Sequence, residues 1–223
     1  KRKCRLKAYK KFKMYVNEKI VKFNNENKKK MEIVQIDDIS DIEDDYECDF
    51  EIDPSYNFNL KIIDFGNAEH LDKLEQEEIQ IQSYRPPENI INDYYDLKSD
   101  IWTLGCLVFE IITGDYLFDI ERCNKSLERD RLHIHRMYEV LGKMPREMSE
   151  MCDFSSDLFD NKGRVIKHKH CNYTSLSEIL VTDFEFQDVD AKEIEIFLKR
   201  MLEYDPKKRA SAEELLEDPW LNK

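Results

Sequence analysis

The 223-residue sequence is poor in features that mark secreted, metal-stapled or membrane proteins. Its six cysteines form no C-x-x-C pair and have no histidine at ligand spacing, which argues against a disulfide or zinc framework and predicts reduced thiols. No signal peptide opens the chain, and its longest mostly apolar stretch, Ile101 to Ile112, is interrupted by Glu110 and is too short to cross a bilayer. We expect an intracellular protein, cytoplasmic or nuclear or both, without membrane contact. Because the chain begins at Lys1 rather than Met, we also expect it to be a fragment.

The formal net charge of -13 is distributed unevenly. Residues 1–30 contain thirteen Lys/Arg and two Glu, whereas residues 31–58 contain eleven Asp/Glu and no Lys/Arg. These two segments cancel, so the whole negative charge belongs to residues 59–223. An acidic domain argues against direct nucleic-acid binding and favours a basic protein partner, although a merely soluble acidic surface explains the same charge.

The N-terminal segments differ in composition from the rest of the chain. Residues 1–30 space apolar residues by three and four, which predicts a basic helical segment. It is either a patch for nuclear import, nucleic acid or an acidic partner, or a charged helix that leans on the rest of the protein. Residues 31–53 alternate acids with single apolar residues, which predicts a disordered acidic linker over residues 31–58 that could fold back on the basic segment. The apolar stripe of the basic segment consists of Leu6, Tyr9, Phe12, Val16, Ile20 and Phe23.

The folded domain is predicted to occupy residues 59–223. Leu60–Ile63 reads as a short strand that leads into a turn. Ser99 or Asp100 is predicted to cap a helix that ends at Gly114. Apolar residues occur on every side of this helix, so we expect other helices to surround it.

Two further helices are predicted near the C-terminus. Residues 194–202 carry apolar side chains at an i, i+3, i+4, i+7, i+8 spacing. After Asp205-Pro206, Ser211 and Glu214 form an S-x-x-E capping box. The fold class is therefore mainly α, with a short β segment and a charged N-terminal helix and linker.

Four motifs occur in an order that resembles protein kinases. They are Asp64-Phe65-Gly66, the Y-R-P-P-E run at residues 84–88, the S-D-I-W-T-L-G-C run at 99–106 and the D-P-K-K-R-A run at 205–210. In sequence order they resemble the magnesium loop, the end of the activation segment, the central large-lobe helix and the final helix pair of a protein kinase. The resemblance implies a protein-kinase C-terminal lobe.

Within protein kinases, three segments resemble the SR-protein kinases: residues 62–68, 113–118 and 141–146. The D-P-W-L-N ending at 218–222 fits as well, and residues 1–58 are similar in composition to the charged spacer of that family. CDC-like and dual-specificity kinases are the alternative families. The resemblance implies a monomeric serine/threonine kinase that uses ATP and Mg²⁺ and phosphorylates Ser in basic, Arg/Ser-rich proteins.

The resemblance also implies roles for individual residues. Asp64 would bind the Mg²⁺ that bridges the ATP phosphates, because this hard cation prefers carboxylate oxygen. Phe65 would pack between the lobes, and Gly66 completes the nucleotide-binding turn. Glu88 and Arg209 would form a buried ion pair that fixes the activation segment.

Two further assignments have competing interpretations. Asp100 would hold the catalytic-loop backbone, or would only cap its helix. Arg85 belongs to the signature of this kinase group and is predicted to bind substrate, or is a surface charge beside the Pro-Pro turn.

The acidic substrate groove implied by the family is only half matched. Asp115 and Glu139 fall at matching positions and are predicted substrate contacts. Leu132 stands where another acid is expected, and Arg131 adds opposing charge.

Several parts needed for phosphoryl transfer do not occur in this sequence. The five glycines form no G-x-G-x-x-G loop, and neither a V-A-I-K strand nor an H-R-D loop is found, so no catalytic base is assigned. Ile81 replaces the Thr or Ser that would hydrogen-bond the catalytic Asp, and Gln82 replaces a usual Arg. Two hypotheses follow: a fragment of an active kinase, which is inactive in isolation, or a degenerate lobe that binds basic partners without catalysis.

Overall fold

A computed structural model describes residues 62, 65–70, 78–120, 125–150, 155–167 and 172–221. The basic segment 1–30 and the acidic segment 31–58 lie outside the described residues. So does the strand predicted at Leu60–Ile63, apart from Ile62.

The described residues are mainly helical, which confirms the predicted fold class. Short 3₁₀ turns occur at Phe65–Asn67 and Gln82–Tyr84, and the only β pairing within the described ranges is an antiparallel bridge between Phe159 and Val165. No helix in the described part of the chain is long and apolar enough to cross a membrane. The helices are α1 (Pro87–Asn92), α2 (Leu97–Thr113), α3 (Ser126–Leu141), α4 (Arg146–Glu150), α5 (Ser155–Leu158), α6 (Leu176–Thr182), α7 (Asp188–Met201) and α8 (Ala212–Leu216).

The start of α2 differs from the sequence prediction. Asp96, rather than Ser99 or Asp100, is the N-cap: its carboxylate accepts a hydrogen bond from the Lys98 amide at 2.7 Å. Ser99 occupies the third helical position, and its hydroxyl accepts a hydrogen bond from the Asp96 amide at 3.1 Å. This reciprocal capping box satisfies two amides of the first turn, so the helix begins earlier than predicted. The predicted C-terminus is confirmed, because Gly114 adopts the left-handed φ of 78° that favours glycine there.

Helix α2 contributes its most apolar side to the core. Trp102 is fully buried, stacks on Phe118 with ring centroids 6.0 Å apart and contacts Tyr204. The opposite side of α2 presents Leu104 and Leu107, each more than two-fifths exposed. Within the described residues, α2 is therefore covered on one side rather than surrounded as predicted.

Helix α7 packs against α2 at a close approach. A Cβ added at Gly105 would lie 3.0 Å from Met201 Cβ and 3.0 Å from Leu202 Cδ2, so the absence of a side chain lets the two helices meet. The predicted apolar stripe of α7 is buried, as Ile194, Phe197 and Leu198 show. The capping box that opens α8 at Ser211 is present as predicted.

Candidate functional site

A buried ion pair joins two parts of the chain that are 121 residues apart. Glu88, in the first turn of α1, receives two parallel hydrogen bonds from Arg209: Nη1 to Oε1 at 2.7 Å and Nη2 to Oε2 at 2.8 Å. Glu88 is 4% exposed and Arg209 is 1% exposed. The Ser99 hydroxyl adds a third donor to Glu88 Oε1 at 3.0 Å. The structure thus places Glu88 and Arg209 in the arrangement that the family resemblance implies.

Arg209 uses every N–H of its guanidinium. Besides the two bonds to Glu88, Nε donates to the Glu203 carbonyl at 2.9 Å, Nη1 to the Lys98 carbonyl at 2.8 Å and Nη2 to the Tyr204 carbonyl at 3.3 Å. The guanidinium carbon also lies 5.1 Å from the centroid of the Trp102 ring. Since only a planar five-donor group can make all these contacts at once, lysine could not replace it. Arg209 therefore fixes the start of α2, the α7–α8 loop and α1 to one another.

The segment before α1 is attached to helices α2 and α3. The Tyr84 hydroxyl donates to Glu110 Oε2 at 2.6 Å, and burial together with this carboxylate raises the pKa of Tyr84. Gln82 Nε2 donates to Asp130 Oδ1 at 3.1 Å. Burial raises the pKa of Asp130, and the hydrogen bond from Gln82 opposes that shift. The sequence did not point to Glu110 or Asp130 as site residues, since neither belongs to a recognisable motif.

Arg85 lies inside this segment rather than at the surface. It is 8% exposed, and its guanidinium donates from Nε to the Ile79 carbonyl at 2.9 Å and from Nη2 to the Gln80 carbonyl at 3.2 Å. Its Nη1 is also 3.1 Å from Glu78 Oε2. Arg85 thereby shapes the backbone of residues 78–80. A direct contact between Arg85 and substrate stays a prediction.

Asp100 lies on the open side of α2. Its Oδ1 accepts a hydrogen bond from Gln80 Nε2 at 3.0 Å, and Gln80 in turn accepts one from the Thr103 hydroxyl. Partial burial raises the pKa of the Asp100 carboxyl, while the Gln80 bond opposes the rise. The alternative in which Asp100 merely caps α2 is wrong, because Asp96 is the cap. Its proposed hold on a catalytic loop stays a prediction.

Ile81 projects into solvent between Gln80 and Gln82. Its side chain is 73% exposed. An aliphatic group at this place offers no hydrogen-bond donor to a catalytic carboxylate. The sequence predicts that Ile81 weakens the alignment of the catalytic Asp. The structure shows that the Ile81 side chain is accessible to a neighbouring segment.

The predicted nucleotide-binding turn is described only in part. Asp64 lies outside the described residues, and within them no group of three His, Cys, Asp or Glu side chains is arranged to hold a metal ion. Phe65 begins the 3₁₀ turn, which is closed by a 3.1 Å bond from the Ala68 amide to the Phe65 carbonyl. Phe65 is 68% exposed and Gly66 is also exposed, so the turn has a large apolar ring that a second lobe could cover. The carboxylate that Mg²⁺ requires is present in the sequence at position 64.

The two predicted substrate contacts lie on different helices. Asp115 is exposed immediately after the C-terminus of α2. Glu139, near the end of α3, accepts a hydrogen bond from Arg136 Nη1 at 2.9 Å and lies 3.3 Å from His135 Nε2. Side chains of the same helix, Arg136 and His135, therefore already contact the Glu139 carboxylate.

Arg131 does not present its charge to solvent. It is 8% exposed, donates from Nε and Nη2 to the Asp157 carbonyl at 2.8 and 2.6 Å, and pairs with Glu128 at 2.8 Å. The opposing charge expected from the sequence is thus largely neutralised within the lobe.

The architecture is that of a helical lobe whose Y-R-P-P-E segment is held to the last helices by an internal Glu–Arg pair. Residues 52–221 match the family described as "Protein kinase domain", and the chain belongs to that family. The similar proteins confirm the resemblance to SR-protein kinases. "Serine/threonine-protein kinase SKY1" of Saccharomyces cerevisiae is 34% identical over 75% of this chain, and "SRSF protein kinase 3" of Homo sapiens is 36% identical over 73%. "Protein kinase dsk1" of Schizosaccharomyces pombe is 33% identical over 76%.

The match covers a limited part of each relative. The aligned region spans 22% of the Saccharomyces protein, 29% of the human one and 31% of the Schizosaccharomyces one. The chain therefore spans about a fifth to a third of the length of these curated relatives.

Proposed function

We propose that these residues form the large lobe of a serine/threonine protein kinase of the SR-protein-kinase type. The reaction is transfer of the ATP γ-phosphoryl group to Ser in Arg/Ser-rich proteins, and the enzyme acts as a monomer in the cytoplasm, the nucleus or both. The buried pair between Glu88 and Arg209 carries this proposal, because it fixes the segment that follows the magnesium-loop motif in a protein-kinase lobe. We use "complete kinase" below for these residues together with the remainder of the kinase domain.

Two effects contribute to the proposed catalysis: the charge of the ATP phosphates is neutralised, and the substrate hydroxyl is held in position. Bound Mg²⁺ would neutralise charge on the ATP phosphates, and Asp64 would be its ligand in this chain. Arg209, Tyr84 and Arg85 keep the activation-segment end in one conformation through Glu88, Glu110 and the carbonyls of residues 79 and 80. A segment held in this way can present a substrate hydroxyl in a fixed position, which is where phosphoryl transfer gains most of its rate.

Charge supports a basic substrate. Residues 59–223 carry the whole net charge of -13, and the side chain of Arg131 is engaged by Glu128 and Asp157. Asp115 and Glu139 are therefore proposed to contact substrate arginines, with Glu139 exchanging some of its bonding to Arg136 for the substrate.

The test compares peptides and variants in the complete kinase. With Mg²⁺ and ATP, an Arg-Ser repeat peptide should be phosphorylated with a higher kcat/KM than a peptide in which alanine replaces arginine. Asp115→Asn and Glu139→Gln should each raise KM for the Arg-Ser peptide and leave kcat nearly unchanged, because they remove ground-state attraction. The exposed Glu147 on α4 supplies a matched control, and Glu147→Gln should change neither constant. Equal kcat/KM for both peptides would refute the proposed substrate class.

A non-catalytic binding module is the second candidate, and the exposed Ile81 favours it. If the lobe belongs to an active enzyme, Ile81→Thr in the complete kinase should raise kcat, since it restores a hydroxyl donor, whereas Ile81→Val should not. A complete protein that binds the Arg-Ser peptide but shows no Mg²⁺- and ATP-dependent transfer, before or after Ile81→Thr, would establish the binding module instead. In either case the isolated 223-residue chain should phosphorylate nothing above a blank.

A further inference from the structure

A cavity of about 630 Å³ opens between the α3–α4 connection and the turn that follows α5. Its apolar lining includes Met144 and Phe159, both buried, and the half-buried Ile166. Lys143 and Lys162 line the same cavity and are exposed. The cavity thus combines apolar surface with two ammonium groups.

A tight turn holds one wall of the cavity in place. The Ile166 amide donates to the Leu158 carbonyl at 2.9 Å, and the Asp160 amide donates to the Arg164 carbonyl at 2.9 Å. Asp160 Oδ1 accepts hydrogen bonds from the amides of Lys162 at 2.9 Å and Arg164 at 3.0 Å. These bonds fix the backbone position from which the Lys162 side chain extends.

The acids of the cavity are neutralised by neighbouring arginines. Glu150 Oε1 lies 2.6 Å from Arg146 Nε, and Asp160 Oδ2 lies 2.7 Å from Arg164 Nη2. Lys143 and Lys162 have no such partner: across the ranges that the structure describes, neither side chain forms an ion pair or hydrogen bond. Two positive charges therefore remain in a lobe that is otherwise acidic, and they favour an anionic ligand.

The sequence contains a segment with complementary properties. Residues 31–58 have eleven Asp/Glu and no Lys/Arg, and single apolar residues such as Ile36, Ile39 and Ile42 separate the acids. A ligand of this kind can place carboxylates on ammonium groups and an isoleucine on an apolar wall. Because the segment belongs to the same chain, its docking would be intramolecular, and tethering raises the effective concentration of a ligand whose tether spans the distance between the two sites.

We propose that the acidic segment 31–58 docks in cis into this cavity, with its carboxylates on Lys143 and Lys162 and an apolar side chain against Met144 and Phe159. The cavity thereby anchors the N-terminal segments to the lobe at a surface formed by α4 and the turn after α5. The competing site for the same acids is the basic segment 1–30. A second alternative is that the acidic segment of another copy of the chain docks into the cavity. The experiment below distinguishes this arrangement from docking in cis.

Zero-length carbodiimide coupling tests the proposal, because it joins only carboxylates and amines that are already in contact. The 223-residue chain is treated at low protein concentration and low salt, and linked peptides of the monomer band are mapped by mass spectrometry. We expect Lys143 or Lys162 to be joined to acids of residues 31–58, and this product to decrease in 0.5 M salt. The double variant Lys143→Ala, Lys162→Ala should lose it, whereas Lys192→Ala, at an exposed lysine of α7, should not.

Each other result overturns the proposal. The acids of residues 31–58 coupled only to lysines of residues 1–30 would show that the segment folds back on the basic segment, and coupling found only in the dimer band would show docking between two copies. Absence of any coupling to Lys143 and Lys162 would show an unoccupied cavity. Because both lysine side chains are exposed, the double variant should retain the wild-type urea unfolding midpoint, so loss of the product cannot be attributed to unfolding.

Discussion

Arg209→Ala offers the sharpest test of how the lobe is held together. The substitution removes five hydrogen bonds and leaves the Glu88 carboxylate buried with, among the described residues, only the Ser99 hydroxyl as donor. Removing one partner of a buried ion pair costs roughly 3–5 kcal/mol. Each kcal/mol lowers the melting temperature of a domain of this size by about 2–4 °C, so we expect a fall of roughly 6–20 °C.

Urea unfolding followed by tryptophan fluorescence measures the effect, since Trp102 lies directly beneath the guanidinium. Lys207→Ala is the matched control: its side chain is exposed in the same loop, and its unfolding free energy should stay within about 0.5 kcal/mol of wild type. If Arg209→Ala does not fold, Glu88→Gln, which keeps the shape and the hydrogen-bonding oxygen, should show an intermediate loss. A loss below about 1 kcal/mol for Arg209→Ala would refute the buried, fully bonded pair.

Two further predictions concern the core. Burial, together with the charge of Arg85, lowers the pKa of His133 to about 3, whereas an unfolded histidine titrates near 6.5. Protonation therefore favours the unfolded chain, so stability should fall as pH drops from about 6.5 toward 3, by up to about 1.4 kcal/mol per pH unit. In His133→Gln, the urea unfolding midpoint should lose this part of its dependence on pH, whereas His70→Gln, at an exposed site, should keep it. If the midpoint of His133→Gln changes with pH as steeply as that of wild type, the lowered pKa of His133 is contradicted. Gly105→Ala should destabilise the lobe by roughly 1–3 kcal/mol in the same assay, because its Cβ would crowd Met201. A more stable Ala variant would show that α2 and α7 are not in close contact.

The elements that the sequence predicted well are those with strong local signals. The central helix carries many apolar residues and ends at a glycine, and the S-x-x-E box before α8 is a complete local motif. The start of α2 was missed because the reciprocal box runs from Asp96 to Ser99, with the serine in the third helical position rather than at the cap. Capping by Asp96 and capping by Ser99 or Asp100 both satisfy the N-cap preference for short oxygen-bearing side chains. The residue types alone therefore do not show where the helix begins.

Helix α3 shows why other parts could not be predicted. Its buried residues include Arg131, His133 and His135, which interrupt the apolar periodicity on which a helix prediction depends. Their burial is possible because of partners such as the Asp157 carbonyl for Arg131, which lies in a distant part of the sequence.

The same limit applies to the candidate site. The Glu88–Arg209 pair follows from the family resemblance, and no spacing rule joins residues 121 positions apart. The bond between Tyr84 and Glu110 and the inward turn of Arg85 depend on tertiary packing that local patterns do not encode.

The most direct test of kinase function is the initial rate of γ-phosphoryl transfer by the complete kinase, measured with Mg²⁺ and ATP on an Arg-Ser peptide, for wild type and Asp64→Ala. We expect wild type to transfer phosphate and Asp64→Ala to fall to background with an unchanged unfolding midpoint, because the substitution removes the proposed metal ligand. A variant that retains the wild-type rate would contradict the placement of Asp64 at the metal and, with it, the proposed phosphoryl-transfer function of this lobe.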